Sequence, residues 1–326
     1  MRPINHNHPN LLQMRKTLFI LLCFTSVRSF AQEDLDKLIH IDGVKNEKVT
    51  ATFKSGNLIN LKTTETIHRH EMDFRVDHRF GDIAGSAGGG KNFFGLDNST
   101  DIRIGFDYGL LDNLNIGIAR SKGATEVRQL FEGNVKYRFI EQTVDNNVPV
   151  SVAFFGSTTL SAMEASPDKS SAASFEDFND RLSYVTQLII ARKFSSNLSL
   201  VVVPTYLHRN YTAYNDQNDV FALGIGGRAK VSNRIALVAD YTLPFRKSSN
   251  KKYHEDVSGQ HYYNALGVGL EMDTGGHIFH LNFTNATAIQ ESQFISETNS
   301  SWGKGQFRWG FSIARRFNFN KKKHIE

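Results

Sequence analysis

Apolar and polar residues alternate with a period of two through most of this chain, and the last run shows the pattern most clearly. Between Gln306 and Phe319, one phase holds Phe307, Trp309, Phe311, Ile313, Phe317 and Phe319. The other holds Arg308, Gly310, Ser312, Ala314, Arg316 and Asn318. Such a segment predicts a β-strand with one apolar and one polar face. From residue 66 onward twelve such runs follow one another. The first, about 68 to 80, sets Met72, Phe74, Val76 and Phe80 against Glu71, Asp73, Arg75, Asp77 and Arg79. Tight turns join the second run to the third at 110–113, the sixth to the seventh at 194–197, the eighth to the ninth at 232–234 and the tenth to the eleventh at 273–276.

The spacing of the runs decides the architecture. Connections after odd-numbered runs are mostly long (81–100, 122–130, 158–180, 209–218, 247–260, 287–305), and those after even-numbered runs are mostly tight, apart from 141–148. Long loops at one end and short turns at the other are a mark of outer-membrane barrels, as are strands of about ten residues. The predicted fold is therefore all-β, an antiparallel transmembrane β-barrel of the bacterial outer membrane with about 12 strands. A soluble β-sandwich shares the alternation but requires neither the loop asymmetry nor an aromatic final strand. The mean hydropathy of −0.36 fits a barrel, where only every second strand residue meets lipid. Pro204 and Pro244 conflict with a closed ladder and are expected near outer strand ends.

The chain opens with an export signal. Met14-Arg15-Lys16 precedes an apolar stretch, and Ser29-Phe30-Ala31 supplies the small residues of a cleavage site. Residues 1–31 are thus expected to be a signal peptide, with translation starting at Met14. Cys23 lies inside the apolar core and follows Leu22, which disfavours a lipoprotein. The rest divides into a 32–65 segment, a barrel over 66–320 and a basic tail over 321–326. The 32–65 segment is read as a small hairpin that either lies in the periplasm, the simpler placement, or plugs the lumen. The chain has 38 Lys+Arg against 33 Asp+Glu, but Arg2, Arg15, Lys16 and Arg28 leave with the signal, so the remainder carries 34 against 33. That balance argues against nucleic acid as a partner.

Several segments carry a family likeness: Ala51-Thr52-Phe53-Lys54-Ser55, His78-Arg79-Phe80-Gly81-Asp82-Ile83 and Phe94-Gly95-Leu96-Asp97-Asn98. They continue in Asp101-Ile102-Arg103-Ile104-Gly105-Phe106-Asp107-Tyr108-Gly109 and Gly117-Ile118-Ala119-Arg120-Ser121. In this order they resemble the bacterial membrane-bound β-barrel family known as domain of unknown function 5777. The resemblance implies an exported membrane barrel. It supplies no activity, substrate, cofactor or catalytic residue.

The inward phase supplies the candidate chemistry. It gathers Asp73, Arg75, Asp77, Arg79, Arg103, Asp107, Lys136, Arg138, Arg228, Lys230, Asp240, Glu271, Arg308 and Arg316. Such charges either line a water-filled path and set its ion preference or pair across a narrow interior and close it. The leading expectation is passive or gated passage of small polar solutes. The alternatives are a closed structural or surface-binding barrel and, third, an integral-membrane hydrolase. Expected partners are outer-membrane lipid, small polar solutes and the barrel-assembly machinery during insertion.

Other signals are weaker. Gly85-Ser86-Ala87-Gly88-Gly89-Gly90-Lys91 lacks the Ser or Thr that a phosphate-binding loop needs, because Asn92 follows. A hydrolase needs Ser and His in contact, and the outward His78 and His208 have no outward Ser in their runs. His68 and His70 stand two apart on an expected strand face without further metal-ligand spacing. No catalytic, metal or cofactor residue is assigned. Loops 158–180 and 287–305, the latter with Phe294, Ile295 and Trp302, are expected to be solvated or to bind a partner at the surface.

Overall fold

The computed structural model describes residues 46–319. The predicted signal peptide, with Met14 and Cys23, residues 32–45 and the tail Lys321-Lys322-Lys323 lie outside the described residues. Twelve strands form: β1 (Glu71–Asp82), β2 (Ser99–Leu111), β3 (Leu114–Ser121), β4 (Leu130–Ile140), β5 (Ser151–Ser161) and β6 (Leu182–Lys193). They continue as β7 (Leu198–Arg209), β8 (Asp219–Lys230), β9 (Ile235–Phe245), β10 (Ala265–Asp273), β11 (His277–Thr284) and β12 (Arg308–Asn318). Every strand pairs antiparallel with its sequence neighbours, and β12 returns to β1, so the ladder closes. In the closing pair Glu71 faces Asn318, Val76 faces Ile313 and Arg79 faces Gly310.

Closure removes every free strand edge, so backbone N–H and C=O groups find partners without water. The alternation predicted from sequence is present in the burial pattern. Arg75, Asp77 and Arg79 point inward and are buried, whereas Ile104, Phe106, Ile116, Ile118 and Phe131 are exposed on the outer wall. A continuous apolar outer band of this kind is what lipid requires.

The structure changes several boundaries. Thr158–Ser161 extend β5 rather than opening a loop. His68 and His70 precede β1 instead of lying on a strand face; His70 sits at φ 63°. Their rings turn to different partners, His70 to the Tyr108 hydroxyl (3.1 Å) and His68 to Asp112 (3.4 Å). Pro244 is near the end of β9, as expected, but Pro204 is in the middle of β7. There the β6–β7 pairing is interrupted between Gln187–Thr205 and Ile190–Val202, which accommodates a residue without an N–H.

The long loops also hold two short helices, α1 (Ser248–Ser258) and α2 (Glu291–Glu297). The second overturns a prediction. Phe294 and Ile295 do not sit on a solvated surface loop; each is 2% exposed, packed with Val185, Leu207, Val220, Ala222 and Ala265 on the inner wall. The loop carrying α2 folds down into the barrel mouth.

Candidate functional site: the occupied lumen

The lumen has two unlike walls. Inward residues of β5, β6, β7 and β9 include Ala153, Phe155, Ile189, Ala191, Val201, Val203 and Val238, which form one buried apolar cluster. The opposite wall, from β1 to β4 and β10 to β12, is charged. The segment before β1 lies between them. Phe53, Leu58 and Leu61, at 3%, 1% and 1% exposure, join the apolar cluster and leave water entirely.

This segment is a hairpin entering from the short-turn end. At the rim, Val49 N donates to Gln142 O and Val144 N to Glu47 O. Inside, Leu58 N donates to Leu61 O (2.8 Å) and Thr63 N to Gly56 O (3.0 Å), closing a tight bend. The chain then returns to the same rim, where Ile67 N meets Asn115 Oδ1 (3.1 Å) and the Thr66 hydroxyl meets Asp112 O (2.8 Å).

One carboxylate holds the tip. Asp240 Oδ2 accepts from the backbone N–H of Ile59 (2.9 Å), Asn60 (2.6 Å) and Leu61 (3.0 Å), while its Oδ1 accepts from Asn60 Nδ2 (2.7 Å). Three consecutive N–H groups aimed at one anion resemble the concave backbone sites that bind phosphate, with the anion here supplied by the barrel wall. Arg79 donates to Asn60 Oδ1 (2.6 Å), and His280 Nδ1 lies 3.0 Å from Leu58 O.

Glycine makes the room. A Cβ on Gly226 would fall 2.5 Å from Leu58 Cδ1, on Gly224 2.6 Å from Leu61 Cδ2, and on Gly267 2.7 Å from Ile59 Cγ2. These inward positions of β8 and β10 seat the tip only because they carry no side chain.

Apart from Lys230, which is half-buried at the end of β8, the predicted lumen residues fall into three groups. Arg75, Arg79, Lys136, Arg138 and Asp240 contact the hairpin: Arg75 reaches Ser55 Oγ (3.0 Å), Lys136 reaches Gly56 O (3.1 Å) and Glu65 O (3.2 Å), and Arg138 lies 3.9 Å from Glu65. Asp77, Arg103, Arg228, Glu271 and Arg308 make ion pairs within the wall. Asp77 pairs with Arg75 (2.7 Å) and Arg103 (3.8 Å), Arg228 with Glu271 (2.7 Å), and Arg308 with Asp82 (2.6 Å) at the long-loop end. Asp73 and Asp107 border a residual cavity of about 30 Å³ toward the short-turn end. Arg316 lines the same cavity and approaches Glu71 (3.7 Å) with 40% of its side chain exposed.

Several site residues escaped the sequence reading. Glu132 forms a bidentate pair with Arg103 (2.9 and 3.1 Å), and Lys62 pairs with Glu291 of α2 (3.1 Å). Glu65 caps the hairpin by accepting from Thr52 N (2.9 Å) and Phe53 N (3.0 Å), and His280 lies 3.3 Å from Glu271. Glu132 and His280 share the polar phase of their strands, so alternation alone was enough to find them. Lys62 and Glu291 lie outside any strand. The Lys62–Glu291 pair joins hairpin to loop, so the lumen is filled from both ends.

The hydrolase chemistry is divided between two places. Ser99, at the start of β2, brings its Oγ to 3.1 Å from His78 Nε2, a contact the phase argument had not found. The His78 Nδ1 has no hydrogen-bond partner among the described residues. His208 has its acid, Asp219 (2.8 Å). Neither place joins a nucleophile, a base and an orienting group. Around Gly85–Lys91 the chain enters a short 3-10 helix (Gly90–Gly95), not the α-helix that a phosphate loop requires.

A family model described as a membrane bound beta barrel domain, domain of unknown function 5777, matches residues 53–317. The chain belongs to this family. The match begins at Phe53 and so includes most of the hairpin as well as the strands. No curated protein matches the chain. Among solved structures it is similar to a KdgM porin (9% identity, 76% of this chain and 99% of the other, TM-score 0.44). It is likewise similar to a NanC porin (9%, 76% and 100%, TM-score 0.44) and an outer membrane channel from Pseudomonas putida (11%, 78% and 98%, TM-score 0.44).

Proposed function

We propose that this protein is a gated path for small polar solutes across the bacterial outer membrane, closed in this structure by the hairpin and the α2 loop. One observation carries the reading: the hairpin that fills the lumen is not part of the closed ladder. The twelve strands pair β1 to β12 without it, and both its arms leave at the same rim. It can therefore withdraw without breaking a strand-to-strand hydrogen bond of the barrel. The wall it would uncover carries Arg75, Arg79, Lys136 and Asp240, a mixed but positively weighted set that favours small anions. The apolar outer band supports outer-membrane lipid as a partner of the barrel, with the barrel-assembly machinery acting during insertion.

A closed structural barrel is the second reading, favoured by the residual cavity of only about 30 Å³. Conductance in planar bilayers separates the two, using protein whose folding is checked by its heat-dependent gel shift. The full chain is expected to be mostly silent, and a variant lacking residues 50–64 to conduct in discrete steps. A correctly folded deletion variant that stays silent refutes the gated path and leaves the closed barrel.

A further inference from the structure

Beyond the lumen, the long loops enclose a vestibule of about 440 Å³. We propose that it binds a neutral oligosaccharide. The inference does not depend on the lumen conducting.

The wall of the vestibule is an aromatic arc. Tyr214 and Tyr253 meet edge to face at 5.9 Å and 63°, Tyr253 and His254 at 5.5 Å and 89°, and His254 and Tyr262 at 5.8 Å and 83°. Arg246 lies over the Tyr262 ring at 3.9 Å and fixes that end of the arc. Tyr214 lines the vestibule and remains 67% exposed. Tyrosine rings combine an apolar face with a polar hydroxyl, which suits a ligand with a complementary apolar face. A pyranose has such a face, with hydroxyls around its edge.

The floor answers the hydroxyls. Arg209 spans Glu297 (2.7 Å) and Asp216 (2.9 Å), and Arg246 donates to the other Asp216 oxygen (2.8 Å). This buried network is held rigid before any ligand arrives, which lowers the entropy lost on binding. Charge sets the class of sugar. The lining has three carboxylates, Glu126, Asp216 and Glu297; Arg209 and Arg246 offset Asp216 and Glu297, which leaves Glu126 as the excess charge. An acidic saccharide would meet like charge, whereas a neutral one meets acceptors and donors. The volume lies within the roughly 300–1,000 Å³ range of small-ligand sites.

The test is saturation-transfer NMR on the full, folded protein in detergent micelles. The probes are maltohexaose, laminarihexaose and mannohexaose, with hexagalacturonate as the acidic comparison. At least one neutral hexasaccharide is expected to bind with a Kd of about 1 mM or tighter, and hexagalacturonate at least about tenfold more weakly. Tyr214→Ala and Tyr253→Ala should each weaken binding roughly tenfold, with Tyr137→Ala on the outer wall leaving it unchanged. The heat-dependent gel shift confirms folding of each variant. The proposal is overturned if no neutral hexasaccharide binds, if hexagalacturonate binds as tightly, or if folded Tyr214 and Tyr253 variants bind normally.

Discussion

Replacing Asp240 with Ala tests the latch directly. The wild-type carboxylate accepts four hydrogen bonds from the hairpin tip, three of them from backbone N–H groups. A buried donor left without a partner costs about 1–3 kcal/mol. Water entering the space left by the carboxylate recovers part of that, so a net loss of about 3 kcal/mol is a fair working figure. At about 1.4 kcal/mol per tenfold, the withdrawn population rises roughly 150-fold. The hairpin still remains mostly seated, because burying Phe53, Leu58 and Leu61 contributes about 1.5–3 kcal/mol for each side chain. Hydrogen exchange is the suitable assay. Amides of residues 52–66 should lose protection by about two orders of magnitude while β1 to β12 keep theirs. A folded Asp240→Ala protein whose hairpin protection changes by less than about threefold would refute the latch and leave the apolar contacts as the whole anchor.

Three further outcomes follow from the same geometry. Gly226→Val places side-chain atoms where Leu58 Cδ1 sits, 2.5 Å from an added Cβ; it should expose the buried Lys62 to trypsin, and adding Leu58→Ala should restore part of the protection. Removing Glu132 leaves the buried Arg103 guanidinium with only Asp77 at 3.8 Å and should cost about 3–5 kcal/mol, read as a lower midpoint of the heat-dependent gel shift, whereas Glu164→Ala on an exposed loop leaves that midpoint unchanged. Burial opposes ionisation of Asp216, but Arg209 and Arg246 outweigh it and hold the carboxyl at about 2. A carboxylate with a depressed folded value contributes stability above the unfolded pKa of about 3.9 and loses it as pH falls toward 2. The Asp216 carboxyl, followed by carbon-13 NMR, should therefore titrate well below about pH 4, and a midpoint at or above that pH would contradict the network.

Much of the barrel was legible because a membrane strand repeats one simple rule. Phe311, Ile313 and Phe317 face outward and Arg308 and Ser312 inward because period-two geometry leaves no other choice. The inward charges of β1 followed for the same reason. The interior contacts were less accessible, since they depend on what fills the barrel. Val201, Val202 and Val203 are apolar in both phases, a departure from alternation whose meaning, an inner wall under an apolar cover, depends on the hairpin that packs there. Phe294 and Ile295 were the cover for another such surface, but their loop has no periodicity that could locate them. The seat for Leu58 appears in sequence only as glycines on β8, whose meaning depends on a contact almost 170 residues away.

Both arms of the hairpin cross the same rim, and this fixes how it responds to mechanical load. Tension applied at Asn46 acts first on the rim, where Val49 pairs with Gln142. The load then passes to the Glu65 cap on Thr52 and Phe53, and only last to the Asp240 cradle, which is farthest along the chain. The bonds are loaded in series, like the teeth of a zip, so the peak force is that of one bond group and not their sum. A pull on either arm at that rim can extract the segment stepwise; pressure from the opposite mouth drives the tip against its arms and loads every contact together.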